Sequence, residues 1–259
     1  MVGVTVDLWH TLIYLAPEAE ERYIRGQAEI AAGLLSKSTI RPEGRTLTFS
    51  SLRRAFEDVY REAVDASVDG RTITPGEQFR IAAERTERVA DPRDYLTALH
   101  REVESMPFQM APGAIEFLKG LRTDGYRLAV ISNTVGEPGR YFRPILRRMG
   151  FDPFVESYVF SDELPWTKPN PEIFLTALKA IGTVPQNAVH VGDGWSDIEG
   201  ARRAGYRTQI LFTGLTDYGA RYRELFFAHG QGTGSADHRA ATLQAAGRIL
   251  RSVLPLDGA

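Results

Sequence analysis

The sequence predicts an α/β fold, a doubly wound parallel sheet with an α-helical bundle inserted after its first strand. Three observations predict it. A short β-branched run, Val2 to Val6, opens the chain and ends at Asp7. A long charged stretch without strand signals follows, from about Pro17 to Ser105. From Pro107 onward, apolar runs of strand length alternate with stretches of helical periodicity. Parallel strands need helix-sized crossovers, so this alternation implies a parallel sheet covered on both faces.

Val2 to Val6 reads as a buried strand because β-branched side chains suit a packed pleated surface. In the charged stretch, the first helix is expected from Pro17 to about Ser36, with Tyr23, Ile24, Ile30 and Leu34 at helical spacing. A second covers Ser50 to Ser67, capped by Ser50 or Ser51. A third starts at Thr74-Pro75-Gly76-Glu77, where Thr74 and Glu77 have capping-box spacing and proline holds the first helical position. The fourth runs from about Pro92 to Glu104. Four such helices suffice for a small bundle. Beyond Pro107 the expected order is helix Ala114 to Asp124 stopped by Gly125, strand Arg127 to Ile131, helix Gly139 to Met149 and strand Tyr158 to Phe160. Helix Pro171 to Ile181, strand Ala188 to Val191, helix Asp197 to Ala204 and strand Arg207 to Phe212 come next. Gly230 to Ser235 reads as a glycine-rich loop and Ala240 to Val253 as a closing helix. The expected organisation is an α/β core of residues 1–16 plus 107–259, with a helical domain of residues 17–106.

Composition narrows the function classes. The chain has 259 residues, 43% of them hydrophobic, enough for a sizeable core. Its 31 basic and 33 acidic residues nearly cancel, which leaves no electrostatic footprint for nucleic acid or an anionic membrane surface. No apolar run approaches the roughly 20 residues a membrane helix needs. The first residues lack a basic segment followed by a cleavable site and read as structure. With no cysteine, disulfides, thiolate metal sites and thiol catalysis are excluded; the expected location is cytoplasmic, as a monomer or homodimer. Only Lys37, Lys119, Lys168 and Lys179 are lysines, the other cations being arginines. The histidines (His10, His100, His190, His229, His238) show no metal-ligand spacing, and His190, inside a strand, reads as a core residue or one supporting the site.

Four polar groups sit where predicted strands end. Asp7 closes the first, and Ser132 and Asn133 follow the second. Lys168 opens a helix through Lys168-Pro-Asn-Pro, and Asp193 follows Ala188 to Val191, with Asp197 four residues later. In a parallel sheet these ends share one edge, where ligands bind. Singly, each has a structural reading: Asp7 as a turn former, Ser132 and Thr11 as capping hydroxyls, Asp197 as a helix-start residue complementing the dipole. Four together are informative.

The four groups resemble, in order, the motifs of the haloacid dehalogenase superfamily. Asp7-Leu8-Trp9-His10-Thr11-Leu12 is similar to its aspartate signature, Ser132 to its second motif and Lys168 to its third. Gly192-Asp193-Gly-Trp-Ser-Asp197 through Gly205 is similar to its fourth, and the long interval between Asp7 and Ser132 is where this family inserts a helical cap. The resemblance implies a hydrolase acting on a small anionic substrate, with catalytic Asp7, Lys168, Thr11 and Ser132. It implies substrate contacts from Thr11, Ser132, Asn133, Lys168, Trp9 and His10, and Mg²⁺ held by Asp7, the Trp9 carbonyl, Asp193 and Asp197. The chemistry is consistent with those residue types. A carboxylate can form an ester with its substrate, splitting one hard displacement into two easier ones. Lysine supplies a point charge, and clustered carboxylates supply the hard oxygen ligands that Mg²⁺ prefers.

Trp9 departs from the pattern. Most phosphatases of the superfamily carry there a second aspartate that shuttles protons, and an indole cannot. Loss of such a group typically costs ~10²–10⁴ in rate. Three readings follow: a Mg²⁺-dependent phosphatase with another proton carrier, His10 being a candidate; a metal-independent 2-haloacid dehalogenase, whose halide needs no proton; or a weakly active binding protein. Imine-forming phosphonate chemistry would need Lys37, which sits in a solvated Ser-Lys-Ser helix end and ranks low. Asp193 and Asp197 favour a cation, and so the first reading. The arginines of the helical stretch (Arg22, Arg25, Arg53, Arg54, Arg61, Arg80) read mainly as solvated helix faces, and Tyr14 as a residue near the connection to the bundle.

Overall fold

The computed structural model describes residues 1–215 and 235–256. The elements run β1 (Gly3–Asp7), β2 (Ile13–Tyr14), α1 (Pro17–Lys37), β3 (Thr39–Ile40), α2 (Phe49–Val68), α3 (Pro75–Arg85), β4 (Arg88–Val89), α4 (Pro92–Ser105) and β5 (Gln109–Met110). They continue with α5 (Ala114–Asp124), β6 (Arg127–Ser132), α6 (Phe142–Arg148), β7 (Ser157–Phe160), α7 (Pro171–Ala180), β8 (Ala188–Gly192) and α8 (Trp195–Arg203). After β9 (Thr208–Phe212) and β10 (His238–Ala240), α9 (Leu243–Val253) closes the described chain.

Six strands form one sheet in the order β10-β9-β8-β1-β6-β7, every neighbouring pair parallel. Strand side chains alternate between faces. Leu128 and Val130 join the core under α5 and α9, while Ala129 and Ile131 join a second core under α7 and α8. The α/β doubly wound sheet expected from the alternation is therefore present. Because β1 lies between β6 and β8, Asp7 stands at the carboxyl end of a central strand, where the winding reverses.

The four expected helices pack on one another, α1 on α2 and α4, and α3 on α2 and α4. Their starts follow local chemistry. Thr74 and Glu77 form the anticipated capping box, and Asp91 caps α4. The second helix starts earlier than expected: its cap is Thr48, whose hydroxyl accepts from the Ser51 amide, not Ser50 or Ser51. The buried stripe of α1 is Tyr23, Gln27, Ala31 and Leu35, with Ile24, Ile30 and Leu34 only half-buried. The stretch is not wholly helical, since β3 pairs with β4. Ile13–Tyr14 pairs antiparallel with Gln109–Met110, and Tyr14 Oη donates to Gln109 Oε1 at 2.9 Å. The chain thus enters and leaves the helical block side by side.

Smaller corrections concern boundaries. Residues Gly139–Tyr141 form a separate 3₁₀ turn before α6. The fourth-motif helix begins at Trp195 rather than Asp197. His238–Ala240 is a strand on β9, so the closing helix starts only at Leu243, capped by Thr242. His229 and the glycine-rich stretch expected from Gly230 lie, through residue 234, outside the described residues. Among the described residues, no helix is long and apolar enough to cross a membrane.

Candidate active site

Asp7, at the end of β1, is buried, and both of its carboxylate oxygens are engaged. Lys168 Nζ donates to Oδ1 and Thr11 Oγ1 donates to Oδ2 at 3.0 Å. The Thr11 hydroxyl reaches back because residues 8–13 form a tight turn, in which the Leu12 and Ile13 amides both donate to the Leu8 carbonyl. Lys168 Nζ also donates to Asp197 Oδ1 at 2.6 Å. Asp197 in turn accepts from His190 Nε2 at 3.1 Å and from the Gly194 amide at 3.0 Å. His190 Nδ1 meets Thr5 Oγ1 at 2.7 Å, so the strand histidine supports Asp197 from below. Gly192 permits this closeness: a Cβ there would lie 2.3 Å from Asp197 Cγ.

The carboxylates of Asp7, Asp193 and Asp197 converge, each offering an oxygen within 4.8 Å of the others. Burial pushes the Asp7 carboxyl up to about 7; the charges of Asp197 and Asp193 add to this, and Lys168 opposes it. Burial acts on Asp197 in the same direction, but Lys168 and His190 overcome it and hold that carboxyl below the ordinary range. Desolvation alone would lower Lys168; Asp197 and Asp7 outweigh it and keep the amine protonated. Three converging carboxyls, one of them raised by burial and by the charge of the other two, are a donor set that a small hard divalent cation fits.

The second motif reaches the same rim. Ser132 is buried at the end of β6. Asn133 does not point freely into the crevice: its Oδ1 accepts from the Lys168 amide at 2.8 Å and its Nδ2 donates to the Lys168 carbonyl at 3.0 Å. That clasp fixes the loop carrying Lys168. Lys37 is exposed at the end of α1, consistent with its solvated reading.

Trp9 and His10 go different ways. The Trp9 ring packs edge-on to Phe108 and Phe142, with centroids 5.6 and 5.5 Å away, and stacks beside Tyr23 at 6.3 Å. His10 adopts a left-handed backbone (φ 56°) that turns its buried ring to Glu20 on α1, Nε2 to Oε1 3.0 Å. Burial alone would lower its pKa, but the bond to Glu20 and the nearby Asp193 raise it.

Sequence reasoning missed Glu137. It lies five residues past Ser132, in the loop after β6, and is buried. Burial raises its carboxyl from an ordinary 4.5 to about 8, against the side chains of Tyr23, Trp9 and Gln27 around it. With Trp9, Glu20, Tyr23, Tyr60 and Asn133 it lines a cavity of about 30 Å³ between α1, α2 and the core. The one available signal was Glu20, Tyr23 and Gln27 on a single face of a predicted helix, a polar set where an apolar stripe belongs.

A family model described as haloacid dehalogenase-like hydrolase matches residues 2–205. The chain belongs to this family. Among curated relatives, it is 33% identical over 106 residues to phosphoglycolate phosphatase 1 of Pseudomonas aeruginosa, covering 41% of this chain and 38% of that protein. It is 43% identical over 98 residues to glyceraldehyde 3-phosphate phosphatase of Pyrococcus abyssi, 38% of this chain and 40% of that one. The chain thus spans about two fifths of the length of these two relatives. A longer match, 29% identical over 172 residues, is to pyrophosphatase PpaX of Halalkalibacterium halodurans, with 64% and 75% covered. Among solved structures, a HAD phosphatase from Thermococcus onnurineus shares the fold, with a TM-score of 0.62 and 22% identity over 96% of this chain and 98% of that one.

Proposed function

We propose that this hydrolase is a Mg²⁺-dependent phosphatase acting on a small phosphorylated metabolite, with Asp7 as the covalent nucleophile. The observation that carries the reading is the convergence of Asp7, Asp193 and Asp197 around Lys168. A dehalogenase has no use for a cation site, whereas a phosphate ester does, and the relatives named above are phosphatases.

In this reading Asp7, Asp193, Asp197 and the Trp9 carbonyl hold Mg²⁺, which neutralises charge on the phosphoryl oxygens when bound. Thr11 and Lys168 orient the Asp7 carboxylate, and one of its oxygens attacks phosphorus as the ester oxygen leaves. Ser132, Thr11 and Lys168 bind the phosphoryl oxygens. Asn133 acts mainly through Lys168, by holding its backbone. Water then cleaves the aspartyl phosphate. Trp9 supplies no proton, so esters of acidic alcohols are turned over fastest, their leaving oxygens needing none. His10, paired with Glu20, acts from the side of the crevice rather than as the acid on the leaving group. Residues 17–106 form the cap over this site.

The test is hydrolysis of p-nitrophenyl phosphate. EDTA is expected to abolish it and Mg²⁺ to restore it, and Asp7→Asn to lower it by ~10³-fold or more. Metal-independent halide release from 2-chloropropionate, or turnover that survives Asp7→Asn, refutes the proposal.

A further inference from the structure

We infer that the cavity behind Trp9 seats a primary ammonium group on the alcohol portion of the substrate, with Glu137 as its counter-ion. This rests on the phosphatase reading and names the class of ester the site takes: a short aminoalkyl phosphate.

The cavity adjoins the reaction centre through two of its walls. Trp9 lies two residues from Asp7, and Asn133 clasps Lys168. A group on the leaving side of a phosphate held at Asp7 therefore has this cavity within a few atoms' reach. Its volume, about 30 Å³, suits one water-sized group. A primary ammonium is of that size; a trimethylammonium is not.

Its walls specify charge. Two carboxyls line it, and they are not equivalent. Glu20 is paired with His10. Glu137, though buried, forms no ion pair with any cation among the described residues, and its charged neighbour Asp162 only adds repulsion. Tyr23, Trp9 and Gln27 hydrogen-bond this carboxyl but bring it no positive charge, and a buried carboxyl without a cation is costly, a state proteins keep where a ligand completes a site. The polar atoms beside it are acceptors in want of donors. Tyr23 Oη, whose proton is directed to Glu137, and Gln27 Oε1 are buried and accept from no donor. An ammonium brings three N–H donors and no acceptor. Glu137, Tyr23 Oη and Gln27 Oε1 supply three acceptors. Trp9, Tyr23 and Tyr60 provide aromatic walls, which attract a cation and offer nothing to an anion. Trp9 thereby acquires a function: where it cannot move protons, it walls the seat of the charged group. Gly136 keeps the arrangement tight, since a Cβ there would lie 2.6 Å from Gln27 Oε1.

The experiment compares 2-aminoethyl phosphate with propyl phosphate, equal in length and differing in ammonium against methyl. The wild-type protein with Mg²⁺ is expected to prefer the amine by tenfold or more in kcat/KM, chiefly through KM. Glu137→Gln is expected to bring that ratio close to one, and Tyr23→Phe to reduce it. The same preference is expected in equilibrium binding of the two esters to Asp7→Asn protein, measured by calorimetry without turnover. Equal use of the two esters while p-nitrophenyl phosphate is hydrolysed overturns the ammonium seat and leaves the phosphatase reading standing. A preference that survives both Glu137→Gln and Tyr23→Phe overturns it too. Preferential binding of the amine to Asp7→Asn protein, with no phosphatase activity in the wild type, upholds the seat and sinks the phosphatase reading.

Discussion

Glu137→Gln tests the burial of that carboxyl apart from any substrate. In the folded protein its pKa is about 8, against an ordinary 4.5 that the unfolded chain restores. Below pH 4.5 both states hold the proton, and burial costs nothing through ionisation. Between 4.5 and 8 the folded state binds more proton than the unfolded state, so rising pH erodes stability. Above 8 the slope vanishes and the loss is complete. At 1.36 kcal/mol per pH unit, the penalty is about 3 kcal/mol at pH 7 and approaches about 5 kcal/mol above pH 8. Glutamine keeps the shape and never ionises. The variant should match the wild type near pH 4.5 and exceed it by about 3 kcal/mol at pH 7. For a chain of this length that raises Tm by roughly 6–12 °C. Urea titrations and thermal melts of both proteins from pH 5 to 9, in EDTA and without substrate, measure the gap. Stability curves that run parallel across this range would show that Glu137 is either solvated or paired, and would refute the reasoning.

Other perturbations probe the carboxylate cluster and the helical block. Lys168→Ala strands Asp7 and Asp197 as buried charges without their cation, and should destabilise the metal-free protein by about 3–5 kcal/mol. Added Mg²⁺ should raise Tm more in this variant than in the wild type. Gly192→Ala places a methyl against Asp197 and should cost about 1–3 kcal/mol in urea unfolding, together with a higher Mg²⁺ requirement for activity. Thr74→Ala removes one side of the α3 capping box and should cost about 1 kcal/mol, with no change in kcat.

Much of this molecule was legible in its sequence because strands and helices of a parallel sheet leave separate periodicities. Val2 to Val6 and Ala188 to Val191 could only be buried strands, and polar residues at their ends had to share one rim. Asp7, Lys168, Asp193 and Asp197 do meet at that rim. Helix starts were readable where a side chain closed a local ring, as at Thr74, and misread where neighbouring hydroxyls competed, as at Thr48, Ser50 and Ser51. The edge strand His238–Ala240 leaves no signal, and its last residue reads as the start of the closing helix, because three residues are too few to show a period. Glu137 was invisible for a different reason. Its meaning depends on α1 laying Tyr23 and Gln27 against the loop after β6, a contact between segments more than a hundred positions apart. The direction of the His10 ring was equally illegible, since it depends on a left-handed backbone that turns the ring toward Glu20.

The antiparallel pairing of Ile13–Tyr14 with Gln109–Met110 has an evolutionary consequence. An excursion whose two ends lie hydrogen-bonded side by side imposes almost no constraint on what hangs from them. A tight turn can close such a ribbon, as can a bundle of different length, without moving a residue of the sheet. The helical block can therefore be exchanged whole, while Asp7, Asp193 and Asp197 stay where the central strands put them.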